Sequence, residues 1–277
     1  MALTVDLSGS VTIVTGVTSG IGAGVAEVFA RAGSAVVGCG RRGPESGEAA
    51  AFREAAERHG VASQYVSCDI SDADGPGRVV SAATDRFGRI DFVVSNAGRN
   101  VFTGIDESSL TDWQECIDLN LRSHWLLAQE AAPHMRAAAD DPRAPDGAGP
   151  VFMVNTSNHA YATIPGCFPY NVTKAGMTAL VQSLAIEWGP QVRAVGVAPG
   201  FIETEANRDW FARFEDPQAE RRRTEAMHPV GRLGTPEEMG ALFVFLASRY
   251  AAFITGTTVL ADGGRSALMQ DGMKEYG

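Results

Sequence analysis

The chain has 277 residues, 45% of them hydrophobic, which is enough for the packed core of one large α/β domain or two small domains and excludes a disordered protein. Lys and Arg total 23 against 33 Asp and Glu, and the net charge of −10 argues against a nucleic-acid or anionic-membrane partner. The four scattered cysteines form no Cys-x-x-Cys pair, and the sequence contains no long apolar run and no signal-peptide pattern, so we expect a cytoplasmic protein with free thiols and no metal site.

Short β-branched runs alternate with longer, alanine-rich segments. The predicted strands span residues 11–15, 35–39, 61–66, 90–95, 151–155, 192–198 and 257–260. The predicted helices span residues 21–32, 45–58, 74–87, 111–137, 169–187 and 236–247. Because the strand segments are almost continuously apolar, both faces of the sheet should be covered. The pattern therefore predicts one α/β domain with a doubly wound parallel sheet of about seven strands and helices on both faces.

Two segments interrupt this alternation. Residues 138–150 are rich in Pro, Gly and Asp, which predicts an exposed loop before the fifth strand. Residues 201–229 are charged and aromatic and follow a strand end, where an open α/β sheet places its ligand crevice. We expect the second segment to be a lid, with a partner-facing or simply mobile loop as the alternative. Residues 265–277 form a short tail.

A glycine-rich turn joins the first predicted strand to the first helix. The run Thr15-Gly-Val-Thr-Ser-Gly-Ile-Gly22 leaves backbone amides uncovered at a helix N-terminus, which attracts a pyrophosphate. Its candidate cofactor residues are Gly16, Thr18, Ser19, Gly20, Ile21 and Gly22. Such glycines also serve close packing, but their position between a strand and an alanine-rich helix favours a dinucleotide site.

The end of the second strand bears on which dinucleotide binds. An acidic side chain there accepts from the ribose of NAD, whereas the 2′-phosphate of NADP needs cations. This chain has Gly40 where an Asp would stand, followed by Arg41 and Arg42. Two guanidinium groups bind a phosphate well, so the sequence favours NADP(H); NAD(H) is the alternative if an arginine only pairs with Glu45. Asp69, beside Ile70, is a candidate acceptor for the adenine amino group or a solvated loop residue.

Tyr170 and Lys174 are four residues apart on a predicted helix and therefore share one face. A free tyrosine titrates near 10, but an adjacent cation favours the phenolate. At about 4 Å and an effective dielectric near 20, the two charges would interact by roughly 4 kcal/mol before solvation losses. Tyr170 is thus a candidate general acid/base, although an ordinary surface helix pair is the common alternative.

Three companions lie at other predicted strand ends and helices. Ser157 follows the fifth strand, where its hydroxyl can reach a substrate oxygen. Asn120 interrupts an apolar helical face and needs polar partners such as a relay water. Asn96, Ala97 and Gly98 end the fourth strand and let a ring or ribose approach the backbone. Each also has a structural alternative: an N-cap for Ser157, a helix kink for Asn120 and a turn for residues 96–98.

Taken in order, these motifs resemble those of the short-chain dehydrogenase/reductase family. The matching set is Thr15-Gly-x-x-x-Gly-Ile-Gly22, Ser95-Asn-Ala-Gly98, Asn120, Ser157, Tyr170-x-x-x-Lys174, Pro199-Gly200, Gly231-Arg-Leu-Gly-Thr-Pro-Glu-Glu238 and Ala261-Asp-Gly-Gly264. The resemblance covers about residues 6–264. It implies a single Rossmann-type domain, hydride exchange between a nicotinamide and a carbonyl or alcohol carbon, and a homotetramer or homodimer built partly from the long fourth and fifth helices.

The resemblance also assigns roles to single residues. Tyr170 would be the acid/base, Lys174 would bind the nicotinamide ribose and lower the pKa of Tyr170, and Asn120 would hold a relay water. The nicotinamide-side contacts would be Pro199, Gly200, Ile202 and Thr204. Many relatives carry Ser-Ser at the fifth strand end with the second serine catalytic, whereas this chain reads Ser157-Asn158. Counting back from Tyr170 selects Ser157 to orient the substrate oxygen, and aligning by the strand selects Asn158.

The predicted substrate wall is aromatic and partly apolar. Its candidate residues are Asn158, His159, Phe168 and Trp210. Such a wall suits a cyclic or medium-sized small-molecule carbonyl. The sequence therefore predicts NADPH-dependent ketone reduction; the alternatives are an NAD-dependent catabolic alcohol or sugar dehydrogenase and a non-catalytic dinucleotide-binding sensor.

Overall fold

Parallel strands and crossover helices alternate through the computed structural model, which describes residues 4–141 and 149–268. The strands are β1 Val11–Thr15, β2 Ala35–Gly40, β3 Ser63–Ser67, β4 Phe92–Ser95, β5 Val151–Asn155, β6 Arg193–Pro199 and β7 Thr258–Ala261. The helices are α1 Gly20–Arg31, α2 Gly47–Arg58, α3 Gly75–Phe87, α4 Leu110–Ile117, α5 Ser123–Ala139, α6 Tyr170–Trp188, α7 Glu205–Phe211, α8 Pro217–Ala226 and α9 Pro236–Ala247.

The strands form a seven-stranded sheet in the order β3-β2-β1-β4-β5-β6-β7, with every pair parallel. The chain runs outward from β1 to β3 and then returns to place β4 on the other side of β1. This reversal opens a crevice at the carboxyl ends of β1 and β4, where ligands of doubly wound sheets bind. The predicted fold, a doubly wound parallel sheet with helices on both faces, is confirmed.

Two apolar clusters cover the two faces of the sheet. One contains Phe29 of α1 and Phe243 of α9, both fully buried, together with side chains of α2. The other contains Leu127 of α5 and Met177 of α6, also fully buried, with side chains of α3. Because all the strands point the same way, these helices leave one edge of the sheet, formed by the strand carboxyl ends, for the functional residues.

The prediction of one continuous helix over residues 111–137 is wrong. It is divided into α4 and α5 by a π-helical turn, Asp118–Arg122, in which Asn120 is completely buried. Single π turns inside α-helices are common at functional sites. The π turn carries the Asn120 side chain to the loop after β4, where it hydrogen-bonds Arg99.

The predicted lid segment, residues 201–229, contains α7 and α8. Hydrogen bonds close the chain just beyond it: the amide of Gly234, five residues after the segment, donates to Phe201 at 3.1 Å, and the Glu203 amide donates to Gly234 at 2.8 Å. Of the predicted loop over residues 138–150, residues 142–148 lie outside the described part of the chain, as do residues 269–277 of the predicted tail. None of the helices described is long and apolar enough to cross a membrane.

Candidate active site

The end of β5 and the first turns of α6 bring the candidate catalytic side chains together. Thr156 anchors the two elements, since its hydroxyl donates to the Lys174 carbonyl at 2.9 Å and its amide donates to Val197 at 2.8 Å. Lys174 extends its ammonium group to the Asn155 carbonyl at 3.3 Å. The same ammonium lies 5.4 Å from the centroid of the Tyr170 ring. A phenol and a cation therefore share the carboxyl edge of the sheet, both almost fully buried.

Ser157, and not Asn158, faces the phenol. The Ser157 hydroxyl is close enough to the Tyr170 phenol to lower its pKa, and it donates to the Asn158 side-chain oxygen at 3.4 Å. The Asn158 amide instead donates to Ser266 at 3.4 Å, in a one-turn helix that starts at Asn158. Of the two alternatives for the oxygen-orienting position, this geometry favours Ser157.

The pKa values of the phenol and the ammonium group differ from the prediction. Burial raises the pKa of Tyr170 above its ordinary value, and the nearby Ser157 hydroxyl only partly opposes that effect. Burial lowers the pKa of Lys174 to about 8. The predicted lowering of the Tyr170 pKa by its neighbouring cation is therefore not the net effect, because removal from water disfavours the charged forms of both groups.

The Asn120 side chain is committed to the backbone. Its oxygen accepts from the Arg99 amide at 2.9 Å, and its amide nitrogen donates to the Arg99 carbonyl at 2.9 Å. A Cβ atom at Gly98 would lie 2.9 Å from the Asn120 oxygen and 3.6 Å from the Lys174 nitrogen, which explains the glycine there. Asn120 thus fixes the loop after β4 against the turn between α4 and α5.

Asn96 joins three strand ends. Its side chain donates to the Thr15 carbonyl at 2.8 Å and accepts from the Asn155 amide at 2.8 Å. The Thr15 hydroxyl in turn accepts from the backbone amides of Asn96 and Ala97. Asn96 therefore holds the crevice between β1, β4 and β5 together, which leaves Ala97 and Gly98 as the neighbours of a bound ring or ribose.

The glycine-rich turn fits a pyrophosphate. Gly16 and Gly20 have positive φ angles of 75° and 58°, and a Cβ atom at Gly22 would lie 2.1 Å from the Gly16 carbonyl oxygen. Ser19 precedes α1 but its side chain does not cap the helix, so the amides of the first turn, including that of Ile21, face the crevice without a side-chain acceptor. Uncapped amides at a helix N-terminus suit an anion.

The arginines after β2 are exposed near this turn. Thr18 packs where a Cβ atom of Gly40 would stand, at 2.7 Å. Arg42 lies 3.3 Å from Glu48, so its acidic partner is Glu48 and not the predicted Glu45. A surface pair of this kind is weak and can be displaced by a phosphate.

Asp69 and Ile70 lie beyond β3, at the adenine end predicted for the crevice. Asp69 accepts from the amide and the hydroxyl of Ser71, at 2.9 and 2.6 Å, and Ile70 is buried. Burial raises the pKa of Asp69, but the Ser71 hydrogen bonds and the charges of Arg41 and Arg99 outweigh it, so the net change is a lowering. Asp69 is therefore a carboxylate that already has one local partner.

The segment after β6 closes over the glycine-rich turn. Gly200 packs so tightly on Asp262 that a Cβ atom would lie 2.7 Å from the Asp262 Cα. Thr204 caps α7, and its methyl group would lie 3.4 Å from a Cβ atom at Gly20. Ile202 is buried and bridged to Gly234. Pro199 ends β6. Of the four residues predicted on the nicotinamide side, Thr204 lies against the glycine-rich turn, whereas Ile202 packs into the apolar cluster that contains Phe29 and Phe243.

The aromatic residues predicted on the substrate side separate into two groups. His159 lies 6.1 Å from Tyr170 between ring centroids, whereas Phe168 stacks on Trp113 at 5.6 Å. Trp210 packs within the lid segment in a cluster of four rings. That cluster consists of Phe201, Trp210, Phe211 and Phe214.

Sequence reasoning missed Phe102. Its ring lies 5.2 Å from Tyr170 and 5.8 Å from His159 between centroids, and its side chain is 43% exposed. No local motif marks it, because it reaches the phenol only through an isolated bridge to Pro169. Phe102 thus adds an apolar wall at the mouth of the site.

A family model described as enoyl-(acyl carrier protein) reductase matches residues 16–266, and the matched region contains the whole site. The chain belongs to the short-chain dehydrogenase/reductase family. It is 34% identical over 261 residues to 3beta-hydroxysteroid dehydrogenase 1 of Eggerthella lenta, covering 94% of each chain. It is also 34% identical to L-rhamnose 1-dehydrogenase (NAD(P)(+)) of Azotobacter vinelandii, covering 91% of this chain and 94% of that one.

A solved structure agrees with this assignment. The aldohexose dehydrogenase of Thermoplasma acidophilum in ligand-free form superposes with a TM-score of 0.83 at 27% identity, covering 97% of this chain and 98% of that one. The protein is accordingly a short-chain NAD(P)-dependent oxidoreductase, as the motifs predicted.

The choice between Ser157 and Asn158 is testable by paired alanine variants. We expect Ser157→Ala to lower kcat by about 10²-fold, because it removes a donor at the reacting oxygen. Asn158→Ala should cost much less, since the Asn158 amide binds Ser266. The measurement is kcat for one alcohol substrate with all three proteins. A larger loss in Asn158→Ala would place Asn158 at the oxygen.

Proposed function

We propose that this short-chain dehydrogenase/reductase oxidises a secondary alcohol of a cyclic or medium-sized small molecule, with NADP⁺ as the favoured cofactor. The observation that carries the proposal is the buried group formed by Ser157, Tyr170 and Lys174 beside an uncapped glycine-rich turn. Relatives named as rhamnose, aldohexose and hydroxysteroid dehydrogenases favour alcohol oxidation over the ketone reduction predicted from the sequence. The reverse reaction uses the same site.

The roles of the residues follow from their positions. A bound nicotinamide supplies the acceptor or donor of hydride. Ser157 donates a hydrogen bond to the substrate oxygen and orients it towards the phenol. Tyr170 takes the alcohol proton during oxidation and returns it during reduction. Lys174 lies beside the phenol and donates to the Asn155 carbonyl. It binds the nicotinamide ribose, and its positive charge favours the phenolate form of Tyr170.

Arg41 and Arg42 support a preference for NADP(H) over NAD(H). Both follow Gly40 at the end of β2, and no acidic side chain occupies that strand end. Arg42 is 3.3 Å from Glu48 in an exposed pair, and a phosphate offers it a stronger partner. NAD(H) remains the alternative, for which an acceptor at the ribose 2′-hydroxyl would be needed.

The remaining proposals concern assembly, place and motion. Exposed apolar side chains on α5 and α6, Trp125 at 46% and Ile186 at 82% exposure, support a homotetramer or homodimer built partly on these helices. We assign the enzyme to the cytoplasm and residues 201–229 to a lid. A dinucleotide-binding sensor without catalysis is less well supported, because such a protein has no need of a buried Ser157, Tyr170 and Lys174.

An assay of nicotinamide absorbance tests the proposed activity. The panel contains aldoses, cyclic secondary alcohols and hydroxysteroids, each incubated with NADP⁺ or NAD⁺, and the matching ketones with the reduced cofactors. We expect oxidation of at least one alcohol and a lower KM for NADP⁺ than for NAD⁺. Absence of turnover in both directions, with nucleotide binding intact, would favour the sensor.

The control for cofactor choice is Arg41→Asp in the same assay. A carboxylate there repels a 2′-phosphate and accepts from a ribose hydroxyl, so the KM for NADP⁺ should rise about tenfold or more while that for NAD⁺ falls. Arg86→Asp in the last turn of α3 changes the net charge equally, and it lies before the start of β4, away from the strand carboxyl ends, so it should leave both KM values unchanged. An unchanged ratio in Arg41→Asp would argue for NAD(H).

A further inference from the structure

Arg265 is a cation without a counter-ion on the far side of His159. It follows β7 in a one-turn helix, Arg265–Ala267, and its side chain is partly buried. Within residues 4–141 and 149–268 its guanidinium has neither an ion pair nor a hydrogen bond. Burial and the nearby charge of Arg223 lower its pKa, which still leaves an arginine charged. A half-buried cation of this kind needs a partner.

The nearest carboxylate does not satisfy Arg265. Asp262 accepts from the backbone amides of Gly264 and Ser266 at 3.0 and 2.7 Å, so its oxygens face into the turn. Arg223 adds positive charge nearby but is itself paired with Glu220 through two hydrogen bonds. The charges of Arg223 and Glu220 therefore offset each other, and Asp262 acts on Arg265 through its charge without a hydrogen bond to it.

The Arg265 turn lies against the substrate side of the site. The next residue, Ser266, accepts from the Asn158 amide at 3.4 Å. The Arg265 charge reaches His159, whose ring centroid is 6.1 Å from that of Tyr170. The Asn158–Ser266 hydrogen bond places the Arg265 turn beside the residue that follows Ser157, so a ligand of Arg265 that also reaches the phenol must span this turn and the start of the one-turn helix at Asn158.

Two buried ring nitrogens close enough to feel the Arg265 charge have no hydrogen-bond partner among residues 4–141 and 149–268. They are Nδ1 of His159 and Nε2 of His228. His228 lies 2.8 Å through Nδ1 from the Thr224 carbonyl, which can only accept, so its Nε2 is a free acceptor. A Cβ atom at Gly263 would lie 3.5 Å from the His228 ring, which places that ring on the Arg265 turn.

We propose that Arg265 binds a carboxylate of the substrate, so that the enzyme acts on a hydroxy acid and the corresponding oxo acid. This inference rests on the proposed function and adds the substrate class. The planar guanidinium offers two parallel donors that match a carboxylate. The free acceptor of His228 suits a substrate hydroxyl beside that carboxylate. A wholly apolar substrate would leave the two ring nitrogens buried without partners and would offer the guanidinium no acceptor.

Calorimetry on the protein saturated with NADP⁺ tests the subsite independently of turnover. The probes are 4-oxocyclohexanecarboxylate and 4-oxopentanoate, each compared with its primary carboxamide. We expect the acids to bind about tenfold more tightly than the amides, and Arg265→Met to remove this difference while amide binding stays unchanged. The control Arg222→Met removes an exposed cation on α8 and should keep the preference.

Equal affinity of the wild-type protein for acids and amides overturns the proposal, as does a preference that survives in Arg265→Met. A circular-dichroism melt of Arg265→Met shows whether the variant is folded, and Arg265→Lys, which keeps the charge without the planar pair of donors, should retain part of the preference. Selective acid binding without any turnover would support the subsite but refute the proposed function. Turnover of neutral ketones alone would support the function and refute the subsite.

Discussion

Replacing Tyr170 by Phe is expected to lower kcat by about 10²- to 10⁴-fold in both directions. The variant lacks only the hydroxyl that interacts with Ser157 and takes the substrate proton. The phenyl ring keeps its contact with Phe102 and its place at the start of α6. Nucleotide binding should therefore be unchanged, because the glycine-rich turn holds the pyrophosphate at another strand end.

The measurements for Tyr170→Phe are steady-state kcat and the dissociation constant of NADPH from fluorescence. Tyr250→Phe is the matched control, since Tyr250 is 37% exposed in the one-turn helix that follows α9 and is none of the residues predicted for the site. It should keep wild-type activity. Turnover by Tyr170→Phe at the wild-type rate, or an equal loss in the two variants, would refute the acid/base role.

Replacing Lys174 by Met is expected to remove activity and stabilise the protein free of nucleotide. The ammonium group is buried, and its pKa of about 8 lies below the ordinary value of 10.5. A difference of this size corresponds to roughly 3 kcal/mol of cost to the charged form. The variant also loses the hydrogen bond to the Asn155 carbonyl, which destabilises it by about 1 kcal/mol. We therefore expect its unfolding free energy to exceed that of the wild type by about 1–3 kcal/mol.

The stability gain should depend on pH with a defined sign. Below pH 8, Lys174 is charged in both the folded and the unfolded protein, so the folded wild type is destabilised by the full cost of burying the charge. Between pH 8 and 10.5 the unfolded chain binds more protons than the folded chain, so wild-type stability rises relative to the variant. Urea unfolding of both proteins at pH 7 and pH 10 measures the difference. A gain that grows with pH would contradict the assigned burial effect.

Activity of Lys174→Met distinguishes its two proposed tasks. Loss of ribose binding raises the KM for the cofactor, and loss of the cation beside Tyr170 lowers kcat. We expect both changes together and a shift of the kcat profile to higher pH. Lys174→Arg keeps the charge and should restore part of the pH profile.

The positions of most site residues were predictable because they sit at strand ends. Parallel strands bring their carboxyl ends to one edge, so a motif after β1, another after β4 and Ser157 after β5 must lie near one another. The Tyr170–Lys174 spacing adds a helix face. Chain order and residue spacing are therefore enough to predict this part of the site, without knowledge of tertiary contacts.

The rest depends on contacts between distant residues. The π turn at Asn120 is accompanied by hydrogen bonds to Arg99, twenty-one positions away. The raised pKa of Tyr170 reflects burial, which no local pattern reports. Arg42 pairs with Glu48 and not Glu45 because α2 starts at Gly47, two residues later than predicted. The position of Arg265 near the site could not be predicted, because it depends on the hydrogen bond between Asn158 and Ser266, which are far apart in the sequence.

The closure between Phe201 and Gly234 has a consequence for how such an enzyme diversifies. Because Phe201 and Glu203 are hydrogen-bonded to Gly234, α7 and α8 lie in a segment that leaves and rejoins the fold at one place, outside the strand pairings of the sheet. Under the proposed lid role, changes in α7 and α8 would alter the alcohols accepted and leave the sheet in place. Mutations that change the substrate range and mutations that change folding stability would then fall in different segments of the chain.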